Sequence, residues 1–393
     1  MSKAPGNWRV VKLGAIAEDV TVGHVGTMAN EYRNQGVPFL RSQNVLPHRF
    51  DLTDVRYIDS EFHEKLKKSA LHPGDVITIR TGKPGATAVV PDEWGFANCS
   101  DVVITRPGNE IDSHWLSYFI NNAVAGFINS RLVGAVQQHF NVGSAREMDL
   151  LLPPLSEQKA IAEVLNSLGD KIAANQALIK VADMLSLAVT SDTVEHVSLG
   201  ELVVHKKFTR SPEQMGTVHI AHYSLPAFDD GQIPELSNSR MIKSGKFCIA
   251  SPSVLISKLN PRFPRVWDIP ALPKSEAYAS TEFLVLEPKF CSTSVLATAL
   301  RQPGVSAQLE SKVSGTSGSH QRVRPADLLA TEILDPRCLG DARLDLISSL
   351  GLTVWKFRHE IVSLEETRDA LLPRLMSGEL RVRDAEKVVE AVL

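Results

Sequence analysis

Leu152-Pro153-Pro154-Leu155-Ser156-Glu157-Gln158-Lys159 opens a stretch in which Ile161, Leu165, Leu168, Ile172, Asn175, Ile179 and Ala182 recur at alternating intervals of four and three. That rhythm is the seam of a coiled coil, narrower than the apolar stripe of an ordinary core helix. It returns near the C-terminus in Ile347, Leu350, Val354, Phe357, Ile361, Leu364, Arg368, Leu371 and Leu375. Leu-Asn-Ser-Leu-Gly at 165–169 is echoed by Ile-Ser-Ser-Leu-Gly at 347–351, an offset of 182 residues. Two narrow stripes of similar length in one chain most simply bury each other, although two separate core helices would show the same periodicity. Ser156 reads as the N-cap of the first helix, with Glu157 in its first turn favouring the dipole. Pro373 should kink or stop the second helix near Leu372, with Gly378 as the final stop. Gly169 and Gly351 occupy aligned seats, and each costs about 1 kcal/mol against Ala in a helix interior. Such a cost points to close backbone approach, between the helices or to another subunit. Asn175 in the seam reads either as a register-setting polar residue or as drift after duplication.

The chain has 393 residues, 43% of them hydrophobic and 22% charged. It therefore suits two or three soluble domains, each able to bury a core. The sequence from Met1 to Trp8 lacks the apolar run of a signal peptide, and no stretch is expected to be long and apolar enough to cross a membrane. A cytoplasmic protein is the expectation. Cys99, Cys248, Cys291 and Cys338 are scattered without metal or redox spacing, which predicts buried free thiols. A net charge of −3 is unlike that of a freestanding non-specific DNA binder, so any nucleic-acid contact must rest on local patches.

Residues 1–152 read as one α+β domain. Trp8 to Gly14 and Val37 to Arg41 look like strands, and Val76-Ile77-Thr78-Ile79-Arg80 alternates between the turns His72-Pro73-Gly74-Asp75 and Thr81-Gly82-Lys83-Pro84-Gly85. A hairpin or bulged connection follows from those turns. Ser100 to Thr105 is a further strand, and Trp115 to Arg131 has helical spacing. After the first helix the chain begins again. Val197-Ser198-Leu199-Gly200 echoes Val11-Lys12-Leu13-Gly14, the strand 252–258 falls opposite 74–80, 279–285 opposite 98–104, and 314–323 opposite 133–142. The last two share an offset of 181 residues, the sign of a tandem duplication of domain plus helix. The expected segments are 1–152 and 191–335 as domains, 153–190 and 336–380 as helices, and 381–393 as a tail.

The run Leu152 to Ala162 and the terminal Leu371-Leu372-Pro373-Arg374-Leu375-Met376-Ser377-Gly378-Glu379-Leu380 resemble the junctions of type I restriction-modification specificity subunits. Asp335-Pro336-Arg337-Cys338-Leu339-Gly340 departs from that form at the start of the second helix. The resemblance implies an α+β chain in which two target-recognition domains are separated by two long antiparallel coiled-coil helices. It further implies that each domain reads half of a split, asymmetric site in double-stranded DNA. By the same resemblance the subunit is itself non-catalytic. Its partners would be methyltransferase subunits, two of them, docked on the helices, and endonuclease-translocase subunits. S-adenosylmethionine, ATP and Mg are expected only on those partners, with no cofactor or metal in this chain.

The residues fit DNA contact unevenly. Between Leu236 and Trp267 there is no acid, while Arg240, Lys243, Lys246, Lys258, Arg262 and Arg265 are basic, a run suited to phosphates. Its tip offers Lys258, Asn260, Arg262 and Arg265, groups that read guanine and adenine edges. The alternative is a solvated basic loop. Ser311 to Ala326 is also free of acids, and Ser317, Ser319, His320 and Arg322 there could hold phosphate oxygens. The equivalent first-domain loop offers Gln137, Gln138, His139 and Asn141, whose amides could address adenine, or it is polar only for solvation. Arg80 with Lys83 is a weaker candidate, and Arg41 with Gln43 and Lys206 with Lys207 are weaker still. No methyltransferase, dinucleotide, P-loop, serine-hydrolase or zincin motif is present, and the His219-x-x-His222 pair lacks a third ligand. A second class of function, a coiled-coil adaptor with two protein-binding domains, would differ by lacking salt-dependent, sequence-selective DNA binding.

Overall fold

The computed structural model describes residues 6–82, 84–131, 140–216, 218–312 and 321–393. The chain divides into two units, Met1–Asp170 with Leu364–Leu393, and Lys171–Ser363. Each unit contains one domain and a part of each of two long helices, Leu155–Val189 and Asp341–Met376.

In the first unit, strand Arg9–Lys12 pairs antiparallel with Asp149–Leu152, tying the ends of the domain together. A four-stranded antiparallel sheet follows the order Ala17–Val22, Val102–Pro107, Val76–Ile79, Thr87–Val89. The expected hairpin is the pairing of Val76–Ile79 with Thr87–Val89. A second sheet runs Arg56–Ile58, Val37–Leu40, Ala97–Cys99, Ala70–Leu71, with its central pair parallel. Strand Val76–Ile79 is buried on both faces. Ile77 and Ile79 join Leu40, Cys99, Val102 and Ile104 in one core. On the other face Thr78 meets Thr87, whose backbone N–H donates to Asn121 Oδ1 on helix Ser113–Arg131.

The second unit repeats this plan. Strand His196–Ser198 pairs with Glu332–Leu334. One sheet is ordered Val203–Lys206, Phe283–Pro288, Ser253–Ser257, Val266–Ile269. The other runs Thr209–Arg210, Lys246–Ile249, Ala277–Ala279, His219–Tyr223, Glu235–Asn238, again with one parallel pair, 219–223 against 277–279. The same strand order, pairing sense and closing sheet recur, so the weak sequence echo is a duplication of fold. The short strand Thr209–Arg210 is an addition to the second copy.

The long helices bear out the seam. Ile161, Leu165, Leu168, Ile172, Asn175 and Ala182 are buried on the first, and Ile347, Val354, Leu364, Leu371 and Leu375 on the second. Within the second unit the ion pairs Lys171–Glu360 (3.3 Å), Asp183–Arg358 (3.9 Å) and Asp192–Arg343 (2.7 Å) descend one segment as they climb the other, so the two run antiparallel. Several sequence expectations need correction. The first helix begins at Leu155, with Glu157 and Gln158 N–H groups bonding to Pro154 O, so Ser156 lies inside the first turn. Glu157 does lie in the first turn, as expected, and its carboxylate also accepts from Trp8 Nε1 at 3.0 Å. Pro373 does not end the second helix, which runs on to Met376 because a single lost hydrogen bond is outweighed by the buried Leu371, Leu375 and Met376. Gly378, at φ 72°, supplies the stop. The segment expected to be a tail contains helix Val382–Glu390 with Ala385 and Val389 buried. Cys99 is buried, but Cys338 is exposed.

One further expectation fails. Leu155–Val189 is long and apolar enough to cross a membrane by length and composition, with mean hydropathy 1.4. Leu178, Val181, Met184 and Leu185, off the seam and exposed, add to that apolar character.

The close approach foreseen at the aligned glycines is found at Gly351 and not at Gly169, and it is to the domain rather than between the helices. A Cβ at Gly351 would collide with Ser294 Oγ and Ser294 Cβ, on helix Thr293–Leu300 of the same unit. At Gly169 the nearest atom is Tyr118 Oη at 3.8 Å, ordinary contact.

Candidate nucleic-acid interface

The candidate surface of the second unit forms where strand Ser253–Ser257 leaves its sheet. The chain there makes a β-turn, with Phe263 N–H donating to Asn260 O at 3.0 Å and Pro261 in the second place, which its fixed φ favours. Asn260 takes a left-handed φ of 56°, a conformation that Asn tolerates better than most residues. The loop is clamped at its base. Ser257 N–H donates to Arg265 O (3.0 Å), Asn260 N–H to Gln321 O (2.9 Å), Val323 N–H to Lys258 O (3.0 Å) and Ser306 Oγ to Arg262 O (3.1 Å). Two loops that the sequence offered separately, 258–265 and the described end of 311–326, thus form one surface, joined by a bridge between Leu259 and Arg322.

Lys206 and Lys207 stand at the same end of that sheet, since Lys206 is registered with Val285 and Ser257 with Phe283 on the strand between them. The His205 imidazole is held below its ordinary value by burial first, and then by Lys207 and Lys258. Lys207 is near His205 in the sequence, but Lys258 follows another strand, a contact that no local pattern signals.

Several candidates are already engaged. Arg265 grips Asp229 through two hydrogen bonds, Nε to Oδ1 at 2.7 Å and Nη2 to Oδ2 at 2.9 Å, and that partner raises its pKa. Arg322 pairs with Glu282 at 3.0 Å and Lys206 with Glu287 at 2.6 Å. Lys207 and Arg262 are exposed, and Lys258 is half-buried. Arg262 lies 5.6 Å from the ring centroid of Phe263, which is 64% exposed.

In the first unit Arg80 occupies the position of Lys258 and pairs with Asp101 across the end of the neighbouring strand. Arg41 and Gln43 are brought together on one carboxylate, Asp54, at 2.9 and 2.8 Å. The hydrogen bond from Arg41 is the main cause that holds Asp54 below the usual carboxylate range. Asn141 caps a short helix by accepting from Ser144 N–H at 2.9 Å. Lys83, Gln137, Gln138, His139, Ser317, Ser319 and His320 lie outside the described residues.

A second surface escaped the sequence reading. Leu178, Val181, Met184 and Leu185 of the first long helix are exposed at helical spacing, Met184 by 70%. Four neighbouring apolar side chains left uncovered on one face mark an interaction site rather than scattered surface residues.

Fold and surface together define a tandem-domain protein in which duplicated α+β modules present basic loops from the same sheet end and are connected by long paired helices. Residues 5–182 match the family model described as the type I restriction modification DNA specificity domain. The first half of the chain is thus similar to the specificity subunits of type I restriction-modification systems, and the second half repeats the architecture of the half that the family model covers. It is 23% identical over 253 residues to a putative type I restriction enzyme MjaX specificity subunit of Methanocaldococcus jannaschii, covering 61% of this chain and 57% of that one. It is 26% identical over 157 residues to the type I restriction enzyme EcoKI specificity subunit of Escherichia coli K12, covering 38% of this chain and 32% of that one. The matches thus span about half or less of these relatives' length. In fold, the chain is similar to the crystal structure of a type I restriction-modification S subunit from M. genitalium, with a TM-score of 0.59 at 14% identity, covering 95% of this chain and 97% of that one.

Proposed function

We propose that this chain is the DNA-reading subunit of a type I restriction-modification complex, non-catalytic itself, which directs a partner adenine methyltransferase and an endonuclease to a split, asymmetric site. The observation that carries the reading is the meeting of loops 258–265 and 321–323 at one sheet end, with Lys206 and Lys207 beside them. The first unit offers Arg80 at its matching sheet end, and the two loops share little sequence, which supports different bases in the two halves. The exposed face of Leu178, Val181, Met184 and Leu185 supports docking of methyltransferase subunits on the helices. S-adenosylmethionine, ATP and Mg belong to those partners. Residues 1–152 carry 15 basic and 16 acidic groups, and residues 190–335 carry 15 of each. Much of the phosphate neutralisation must therefore come from partners, and the purified chain alone should bind its site poorly at physiological salt.

The helices have 35 and 36 residues, or roughly 50 Å each at about 1.5 Å per residue. They serve in this reading as a ruler for the unread gap. Mapping methylated adenines in cells that express the chain with its methyltransferase tests the function, and a bipartite site is the expected result. Inserting seven residues in register into both helices should lengthen the gap by about three base pairs, since roughly 10 Å of helix matches three steps of about 3.4 Å. A continuous site, or an unchanged gap in a folded and assembled variant, sinks the ruler.

A further inference from the structure

We propose that Phe263 is a wedge that enters the base stack of the half-site read by the second domain, unstacking one step where the first domain leaves its half-site stacked. The inference rests on the DNA-reading function above and names a residue and a mode of recognition within it. A lone exposed apolar residue is ordinary on a protein surface; four observations separate Phe263 from that background. Its ring is 64% exposed and belongs to none of the second unit's core clusters. It closes a turn that is held by Pro261 and by hydrogen bonds from Asn260, Val323 and Ser306, so its position is fixed rather than sampled. The charge around it suits a polyanion, because Arg262 is exposed beside it and Lys258 stands at the base of the same loop, while Arg265 is held by Asp229. Arg262 lies 5.6 Å from its ring centroid, so a cation accompanies the aromatic wherever it docks.

A rigid aromatic inside a basic loop has the chemistry of the apolar side chains that unstack a duplex step while neighbouring cations hold the phosphates. The loop at the matching sheet end of the first domain lacks the counterpart. Between Arg80 and Thr87 its connection reads Thr-Gly-Lys-Pro-Gly-Ala, with no aromatic. The proposal therefore carries its own control within one molecule.

The test uses the full chain assembled with its methyltransferase subunits on a duplex carrying the mapped site. 2-Aminopurine is placed in turn at each position of both half-sites except the methylated adenines, which the methyltransferase would disturb by itself. A fluorescence rise on binding is expected at one step of the second half-site and at none of the first. Phe263→Ala should abolish that rise and weaken binding roughly tenfold, while Phe263→Leu should keep part of both. Selective binding with the same fluorescence in native chain and Phe263→Ala overturns the wedge and leaves the DNA-reading function standing. Absence of any selective binding by the native complex overturns both. Since Phe263 lies outside those core clusters, unchanged thermal unfolding of Phe263→Ala is expected, and the conservative Leu variant guards against a folding defect.

Discussion

The two domains share a strand order but are seated on the helices by opposite chemistry. In the first unit the buried centre of the seat, around Gln158 and Tyr118, is neutral. Gln158 is fully buried, accepts from Asp112 N–H and donates to Glu110 O and Pro153 O, each at 2.9 Å, while Tyr118 Oη donates to Asn166 Oδ1 at 3.0 Å. In the second unit the seat is ionic. Arg301 reaches Asp183 at 3.2 Å, Arg358 stands 3.9 Å from the same carboxylate, and the buried Asp268 lies against the backbone of Gly351. Burial is the main cause that pulls the Arg358 guanidinium down to about 10, and burial likewise raises the Asp268 carboxyl despite Ser294, Thr293 and the two arginines. Ser292, which caps helix Thr293–Leu300 by accepting from Val295 N–H, occupies the place of Asp112, which accepts from Trp115 N–H at the start of helix Ser113–Arg131. Duplication conserved the scaffold, then, and left the contact chemistry free to diverge. A neutral seat relies on hydrogen bonds worth little each, whereas a buried charge cluster is marginal in sum but severe to break.

The sharpest way to break this comparison is to truncate one residue in each seat. Arg358→Ala leaves Asp268 and Asp183 with one arginine and should cost the second unit about 3–5 kcal/mol. Gln158→Ala leaves three backbone groups unpartnered and should cost the first unit about 1–3 kcal/mol. Hydrogen exchange in the full chain, read on strands Ser253–Ser257 and Val76–Ile79, reports each unit separately. Equal losses, or a loss spread evenly over both units, would mean that the ionic seat has no special weight.

Acid should distinguish the units next. His48 stacks on Tyr118 at 4.3 Å between ring centroids, and its pKa is lowered to about 4, by burial first and then by Arg368 and His114. A histidine depressed in the fold takes up its proton more readily when unfolded. Its contribution is therefore complete above about pH 6.5 and is lost as the pH falls towards 4, up to about 3 kcal/mol. The raised Asp268 has the opposite sign, its ionised form being disfavoured by the fold, so acidification relieves a cost in the second unit. Urea unfolding at pH 7 and pH 4.5 should show a smaller loss for His48→Asn than for the native chain, Asn being chosen because residue 48 has φ 64°. Identical losses would remove His48 from the account.

These contrasts explain what the sequence could and could not reveal. The helices were legible because a heptad is a local pattern, and the duplication was legible because order and offset survive when identity fades. The sheet orders were not, since the parallel pair of Val37–Leu40 with Ala97–Cys99 joins strands that lie far apart in the chain. The basic run was misleading in one respect. Its freedom from acids holds only along the sequence, and Arg265 finds Asp229 just outside the window, as Arg80 finds Asp101 and Arg41 finds Asp54. An arginine so held can still meet DNA, but only by exchanging one anion for another, which lowers the net gain of contact. Arg262 and Lys207 are exposed at the same surface, and among the described residues no carboxylate forms an ion pair with either.

The smallest effects come from the paired glycines, and they set the two seats against each other at a single methyl group. Helix propensity alone favours alanine over glycine by about 1 kcal/mol at either position. At Gly169, where the nearest neighbour is 3.8 Å away, nothing opposes that gain, so Gly169→Ala should stabilise the first unit by up to about 1 kcal/mol. At Gly351 the methyl would collide with Ser294 Cβ, on a helix whose Val295, Leu296 and Leu300 are locked in the core. Overpacking of that kind costs about 1–3 kcal/mol and should reverse the sign. The steric cause can be isolated in a double-mutant cycle, because Ser294→Gly removes the opposing Cβ and should restore much of the loss in the Gly351→Ala background. Should both single alanine variants shift stability in the same direction, the tight seat at Gly351 would not distinguish the second unit from the first.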